Sequence, residues 1–158
     1  MTTFSNANGD LDGSSDLPGR FGPTATTEAR PQDVGPVRIA YAPDTDGAPD
    51  PGEIVWTWVP YEERDGRGKD RPVLVVAREP EGAFLAVQLS SRPHDGQREW
   101  AAIGSGPWDR EARESWVDLD RVLRVHEDGM RREACALGRD RFDAVVSRLA
   151  QRYGWTPA

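Results

Sequence analysis

Large apolar residues are sparse over the first third of the chain and dense after it. From Glu53 to Pro60 the chain alternates, with Ile54, Trp56 and Trp58 on one face and Val55, Thr57 and Val59 on the other. Both faces carry apolar groups, which predicts a strand buried on both sides. Pro72-Val73-Leu74-Val75-Val76-Ala77 is a largely β-branched run and predicts a central strand. Its proline stands first, where a missing N–H costs least. Ala83 to Leu89 predicts the next strand, and Glu79-Pro80-Glu81-Gly82 is the turn that would join the two as a hairpin. Weaker strand candidates follow at 100–103, 115–119 and 121–125. The charged stretches 61–70 and 90–98 predict loops. At the end, Phe142, Val145, Val146, Leu149 and Tyr153 recur at helical spacing on one face, and Gly154 and Pro157 predict the stop. Short strands followed by one amphipathic helix predict a mainly β fold: a small closed or half-closed barrel with the helix packed on it.

The N-terminal part reads differently. Residues 1–49 are rich in Gly, Ser, Thr, Asp and Pro, and acidic residues outnumber basic ones. Such a segment buries too little surface to offset its ordering entropy, so a disordered acidic tail is expected there. Val37 to Tyr41 alternates and could add a short strand. The turn formers from Pro43 to Gly52 mark the boundary, and residues 50–158 form the expected barrel domain. An acidic tail of this kind could also lie over a substrate groove and damp its activity.

Composition narrows the function classes. The net charge of -7 argues against a sequence-blind nucleic-acid coat, though not against a local cationic site. The single cysteine, Cys135, has no partner for an intramolecular disulfide and suits a small apolar filler. The two histidines, His94 and His126, lie far apart and no Cys/His cluster exists, so neither a metal site nor another cofactor is expected. No secretory signal or membrane span is visible, and a cytoplasmic protein is expected.

The informative stretch runs from Pro51 to Pro93. A strand opens Gly52-Glu53-Ile54-Val55-Trp56; a charged loop leads into Gly68-Lys69-Asp70-Arg71-Pro72-Val73; and a later strand ends Val87-Gln88-Leu89-Ser90-Ser91. In order and spacing these pieces resemble the PemK/MazF family of toxin–antitoxin ribonucleases. Ser115 to Val125 is similar to the closing strands of that family, and the terminal helix fits it. The resemblance covers about residues 51–153. It implies an SH3-like barrel of five to seven strands, a homodimer, a separate antitoxin protein as partner, and metal-independent cleavage of single-stranded RNA. It also implies that Arg71 and Ser90 are the catalytic pair. The family more often has threonine at the second position; serine keeps the hydroxyl but loses the methyl group that restricts the rotamer.

Chemistry agrees in part. A metal-free ribonuclease must take the proton of the 2′-OH, stabilise charge at phosphorus and protonate the leaving 5′-oxygen. Arg71 suits the second task, because a guanidinium matches phosphate oxygens in a fork. The base is open among Glu62, Glu63 and His94. Lys69, Arg67 and Ser91 are candidates for holding the substrate, and Tyr61 and Trp108 for stacking on its bases. A second class of function stays open, a non-catalytic binding module on the same barrel. That would be a toxin poisoning DNA gyrase by contact or an inactive regulatory relative, and it would tolerate loss of Arg71.

Overall fold

A computed structural model of the chain describes residues 20–22, 25–30, 38–39, 50–61, 67–79 and 82–157. In chain order its strands are β1 (Thr27–Ala29), β2 (Arg38–Ile39), β3 (Glu53–Pro60), β4 (Gly68–Arg78), β5 (Ala83–Ser90), β6 (Trp100–Gly104), β7 (Ser115–Asp118), β8 (Val122–His126) and β9 (Met130–Ala136). Helix α1 (Arg139–Tyr153) and β10 (Thr156–Pro157) follow.

The apolar runs build the centre. β3 pairs with β4 antiparallel, Ile54 opposite Leu74 and Trp56 opposite Pro72, and β4 pairs with β5 across the expected hairpin. One sheet runs β9-β3-β4-β5-β7-β6. β5 is shared along its length: Ala83 to Ala86 pair with β8, and Leu89 and Ser90 pair with β7. The sheet curls into a half-barrel closed off by α1.

Alternation along β3, β4 and β5 separates two cores. Ile54, Leu74, Val76, Leu85, Val87 and Leu89 join the cluster that takes Phe142, Val145, Val146 and Leu149 from α1. Val55, Val59, Val73, Val75, Phe84 and Ala86 form a second cluster with Leu123, Val125 and Met130. This is why the central strands are apolar on both faces. α1 ends at Gly154, whose positive φ of 75° lets its N–H reach the Ala150 carbonyl at 2.8 Å. Tyr153 donates its hydroxyl to the Leu119 carbonyl at 2.6 Å.

The helix also grips the sheet through its polar face. Arg148 donates to the carbonyls of Trp100 (3.1 Å) and Arg98 (2.6 Å), and Arg141 donates to that of Ile103 (2.7 Å). The Arg141 guanidinium lies directly over Gly104, where a Cβ would stand 2.5 Å from Nη1.

Three features differ from the expected layout. β4 begins at Gly68, so Lys69, Asp70 and Arg71 are strand residues and not loop. Ladder pairing with β3 holds them extended despite their charge. β9 was not foreseen and covers the outer edge of β3. Strands also occur before residue 50. β1 pairs antiparallel with β8, while Arg38 and Ile39 pair parallel with β10. A tail disordered throughout 1–49 is therefore corrected at these residues. Edge pairing satisfies the β1 backbone, and Glu28 meets the buried Arg121 at 3.2 Å. Thr26 and Thr57 share a hydrogen bond of 3.2 Å. The strand expected near Val37 to Tyr41 occurs at Arg38 and Ile39. Residues 1–19, 23–24, 31–37 and 40–49 of the expected tail lie outside the described residues. Cys135 packs partly buried against the larger core.

Candidate functional site

A cleft of about 440 Å³ opens where β4 and β5 run beyond the core. Lys69, Asp70, Arg71 and Pro72 of β4 line one side, continued by Leu89, Ser90 and the following Ser91. Trp56 of β3 and Arg131 of β9 add to it, and the segment between β6 and β7 supplies the far wall. The last recorded pair of β4 and β5 is Val73 with Gln88. Continuing that register by two residues sets Arg71 opposite Ser90, on one face of the sheet. The two residues singled out in the sequence are thus brought together.

The wall segment is held by its own contacts. Asp109 accepts hydrogen bonds from the Glu111 N–H (3.0 Å) and the Arg113 N–H (3.3 Å), and from the Arg113 guanidinium. Ala112 takes a left-handed φ of 53° within this turn. The Arg113 guanidinium holds the Asp109 carboxyl below its ordinary pKa, and the carboxylate raises that of Arg113 in return. Trp108 is buried and donates its Nε1–H to the Ser115 hydroxyl at 3.0 Å. It is a wall of the cleft, not the exposed stacking platform expected from its polar sequence surroundings.

The electrostatics of the cleft oppose those of the chain. Five cationic side chains line it against three carboxylates, in a protein of net charge -7. Arg131 is paired to Asp70, and Arg113 to Asp109. Among the described residues, Lys69, Arg71 and Arg110 have no carboxylate partner. Three unpaired cations around one cavity favour an anionic occupant.

The other expected residues fall in three places. Ser91 lines the cleft with Lys69. Tyr61 and Arg67 meet each other at the neck of the first loop, with the guanidinium carbon 5.8 Å from the ring centre, and neither lines the cleft. Glu62 and Glu63 lie outside the described residues. His94 stands behind Ser90: its Nε2 is 3.3 Å from the Ser90 hydroxyl, and its Nδ1 is 3.1 Å from Oε1 of Gln97. The imidazole stacks on Trp100 with ring centres 3.7 Å apart and planes 6° from parallel, and the edge of Trp116 closes another side.

Trp56 and Arg131 were not singled out as site residues. Trp56 reads as core because it alternates with Ile54 and Trp58, yet it lies half-buried near the sheet edge. Arg131 pairs across from Trp56. Only the unforeseen β9 brings it there, and its charged neighbours Arg132 and Glu133 hide the strand in sequence.

A family model described as PemK-like, MazF-like toxin of type II toxin–antitoxin systems matches residues 50–152. The chain belongs to that family. The match begins at the boundary of the expected barrel domain and includes every residue that lines the cleft. No curated protein matches the sequence significantly. Among solved structures, the fold is similar to an endoribonuclease in complex with its cognate antitoxin from a mycobacterial species. The TM-score is 0.51 at 19% identity, over 68% of this chain and 96% of that one. It is also similar to the MazE–MazF structure from Deinococcus radiodurans, with a TM-score of 0.50 at 20% identity and the same coverages of 68% and 96%. These likenesses support the PemK/MazF fold. β1 and β2 lie upstream of the family match.

Proposed function

We propose that this PemK/MazF-family chain is a metal-independent endoribonuclease that cleaves single-stranded RNA, with Arg71 and Ser90 as its catalytic pair. The observation that carries the reading is the juxtaposition of an unpaired arginine and a hydroxyl across β4 and β5 in a cationic cleft. Arg71 would hold the scissile phosphate in its fork and stabilise the charge that grows on the phosphoryl oxygens. Lys69 and Arg110 would hold neighbouring phosphates, with Ser91 as a further polar contact. The half-buried Trp56 lines the same cleft and would offer an aromatic surface on which a base could stack. As in the relatives solved with an antitoxin, a separate antitoxin protein would bind this chain and restrain it. The active form would be a homodimer working in the cytoplasm.

The test is cleavage of mixed single-stranded RNA by the purified chain with chelator present. Arg71→Ala should cut roughly 100- to 1000-fold more slowly, the usual cost of removing a preorganised charge stabiliser. Expression of the wild type should arrest growth with RNA fragmentation, and the variant should not. Growth arrest that survives Arg71→Ala without RNA fragments would overturn the reading in favour of a toxin acting by contact.

A further inference from the structure

We propose that His94 is the proton acceptor of the site and acts through Ser90 as the middle of a Gln97–His94–Ser90 relay. The inference rests on the ribonuclease reading and assigns the base that reading lacks.

Hydrogen-bond inventory leads to it. With the Gln97 amide presenting Oε1 to the ring, the tautomer that satisfies both contacts carries its proton on Nδ1. A neutral imidazole then has a lone pair on Nε2, and the group facing Nε2 is the Ser90 hydroxyl. In that tautomer Ser90 donates its proton to His94. One lone pair of its oxygen is already used by the Arg92 N–H at 3.1 Å. What Ser90 has left for the cleft is a second lone pair. Towards the substrate it is an acceptor, suited to the hydrogen of a ribose 2′-OH and not to a phosphate oxygen.

The arrangement also fixes the ring. Trp100 and Trp116 pack on two sides, and the Arg148 guanidinium of α1 holds the carbonyl of Trp100. The polar groups bonded to the imidazole, Ser90 and Gln97, are both neutral. His94 does not line the cleft, so the substrate meets it only through the serine. It is a positioning and relay residue, with Ser90 as the atom in contact.

The step balances as follows. The 2′-OH proton passes to the Ser90 oxygen while the Ser90 proton passes to Nε2 of His94. The freed 2′-oxygen pair forms the bond to phosphorus. The bond from phosphorus to the 5′-oxygen breaks, its electron pair stays on that oxygen, and water in the open cleft protonates it. The hydroxide so formed takes a proton from the Ser90 hydroxyl, which recovers its own from the imidazolium, so the relay returns to its starting state. The products are a 2′,3′-cyclic phosphate end and a 5′-hydroxyl end.

Two measurements test the relay. His94→Gln should lower kcat for a short single-stranded RNA by about 100-fold or more, in the range of general-base catalysis, with KM little changed. Added imidazole should restore part of the rate in His94→Gly. A His94→Gln enzyme that cuts at the wild-type rate while Arg71→Ala is inactive overturns the proposal and leaves the ribonuclease reading intact. Independently of activity, nitrogen NMR of the imidazole should show the proton on Nδ1 and an Nε2 signal that moves in Ser90→Ala. A proton on Nε2 overturns the relay whatever the RNA assay gives. The expected spectrum with a wild type that cuts no RNA sinks the ribonuclease reading, and the relay mechanism with it.

Discussion

Asp109 grips Arg113 with both carboxylate oxygens, Nε reaching Oδ2 at 2.9 Å and Nη2 reaching Oδ1 at 3.3 Å. The same carboxylate accepts the backbone N–H groups of Glu111 and Arg113, so one side chain fastens the whole turn that walls the cleft. Because the guanidinium lowers the Asp109 pKa, the clamp is at full strength above the ordinary carboxylate value. It is lost as pH falls through the lowered value. Near neutrality, Asp109→Asn should speed hydrogen exchange of the Glu111 and Arg113 amides by roughly tenfold, the equivalent of one hydrogen bond. Unchanged protection of those amides would show that the turn is held by something else.

The unpaired cations give a binding prediction. Lys69→Ala and Arg110→Ala should each weaken single-stranded RNA binding across all sequences and flatten its salt dependence. The logarithmic slope should change by about 0.7 for each phosphate that the removed side chain had neutralised. Titration of a non-cleavable RNA at several salt concentrations reads this directly, and slopes equal to wild type would exclude phosphate binding by these side chains.

Glu28 ties the N-terminal segment to Arg121, which also donates to the Pro60 carbonyl at 2.5 Å and to Gln88 at 3.4 Å. Arg121 is buried, so removing the carboxylate leaves a cation only partly compensated. Glu28→Ala should destabilise the fold by about 1–3 kcal/mol. Urea unfolding measures it, and a midpoint equal to wild type would mean that the Glu28–Arg121 pair adds nothing to stability. None of the described residues before Asp50 lines the cleft. Their contribution is to the sheet edge, and truncation should act through stability first.

Gly104 has a φ of 76° and lies against the Arg141 guanidinium. Alanine there meets both backbone strain and a collision. The cost should be about 1–3 kcal/mol, with Arg141 displaced from the Ile103 carbonyl. Thermal unfolding of Gly104→Ala beside Arg141→Ala checks it. If the collision matters, the double variant should recover part of the loss.

The legible part of the fold was the part with one dominant pattern. β3, the apolar core of β4, β5 and α1 each carry a run or period that no neighbouring charge interrupts. β9 was hidden because Arg131, Arg132 and Glu133 break its apolar content. The start of β4 was hidden because Lys69, Asp70 and Arg71 are charged where the strand leaves the core to form the cleft. Arg71 and Ser90 stood out through the family resemblance, one beside the strand proline and the other at the end of the next strand, and both line the cleft. Trp56, Arg131 and the Asp109 turn did not stand out, since only strand pairing and chain reversal bring them to the cavity. The bond between Ser90 and His94 lay within reach of the sequence in spacing alone, but nothing there fixes which atoms meet.

The division of β5 between two partners carries a mechanical consequence. Arg71 belongs to the β3–β4 ladder, while Ser90 is paired to Trp116 on the β6–β7 hairpin, beyond the stretch that β8 holds. Arg71 and Ser90 therefore straddle a seam between two parts of the sheet. A small rotation of the β6–β7 hairpin about the end of β5 changes the gap between hydroxyl and guanidinium without unfolding either body. Because Arg141 and Arg148 fasten that hairpin to α1, a force applied to the outside of the helix has a short lever to the gap.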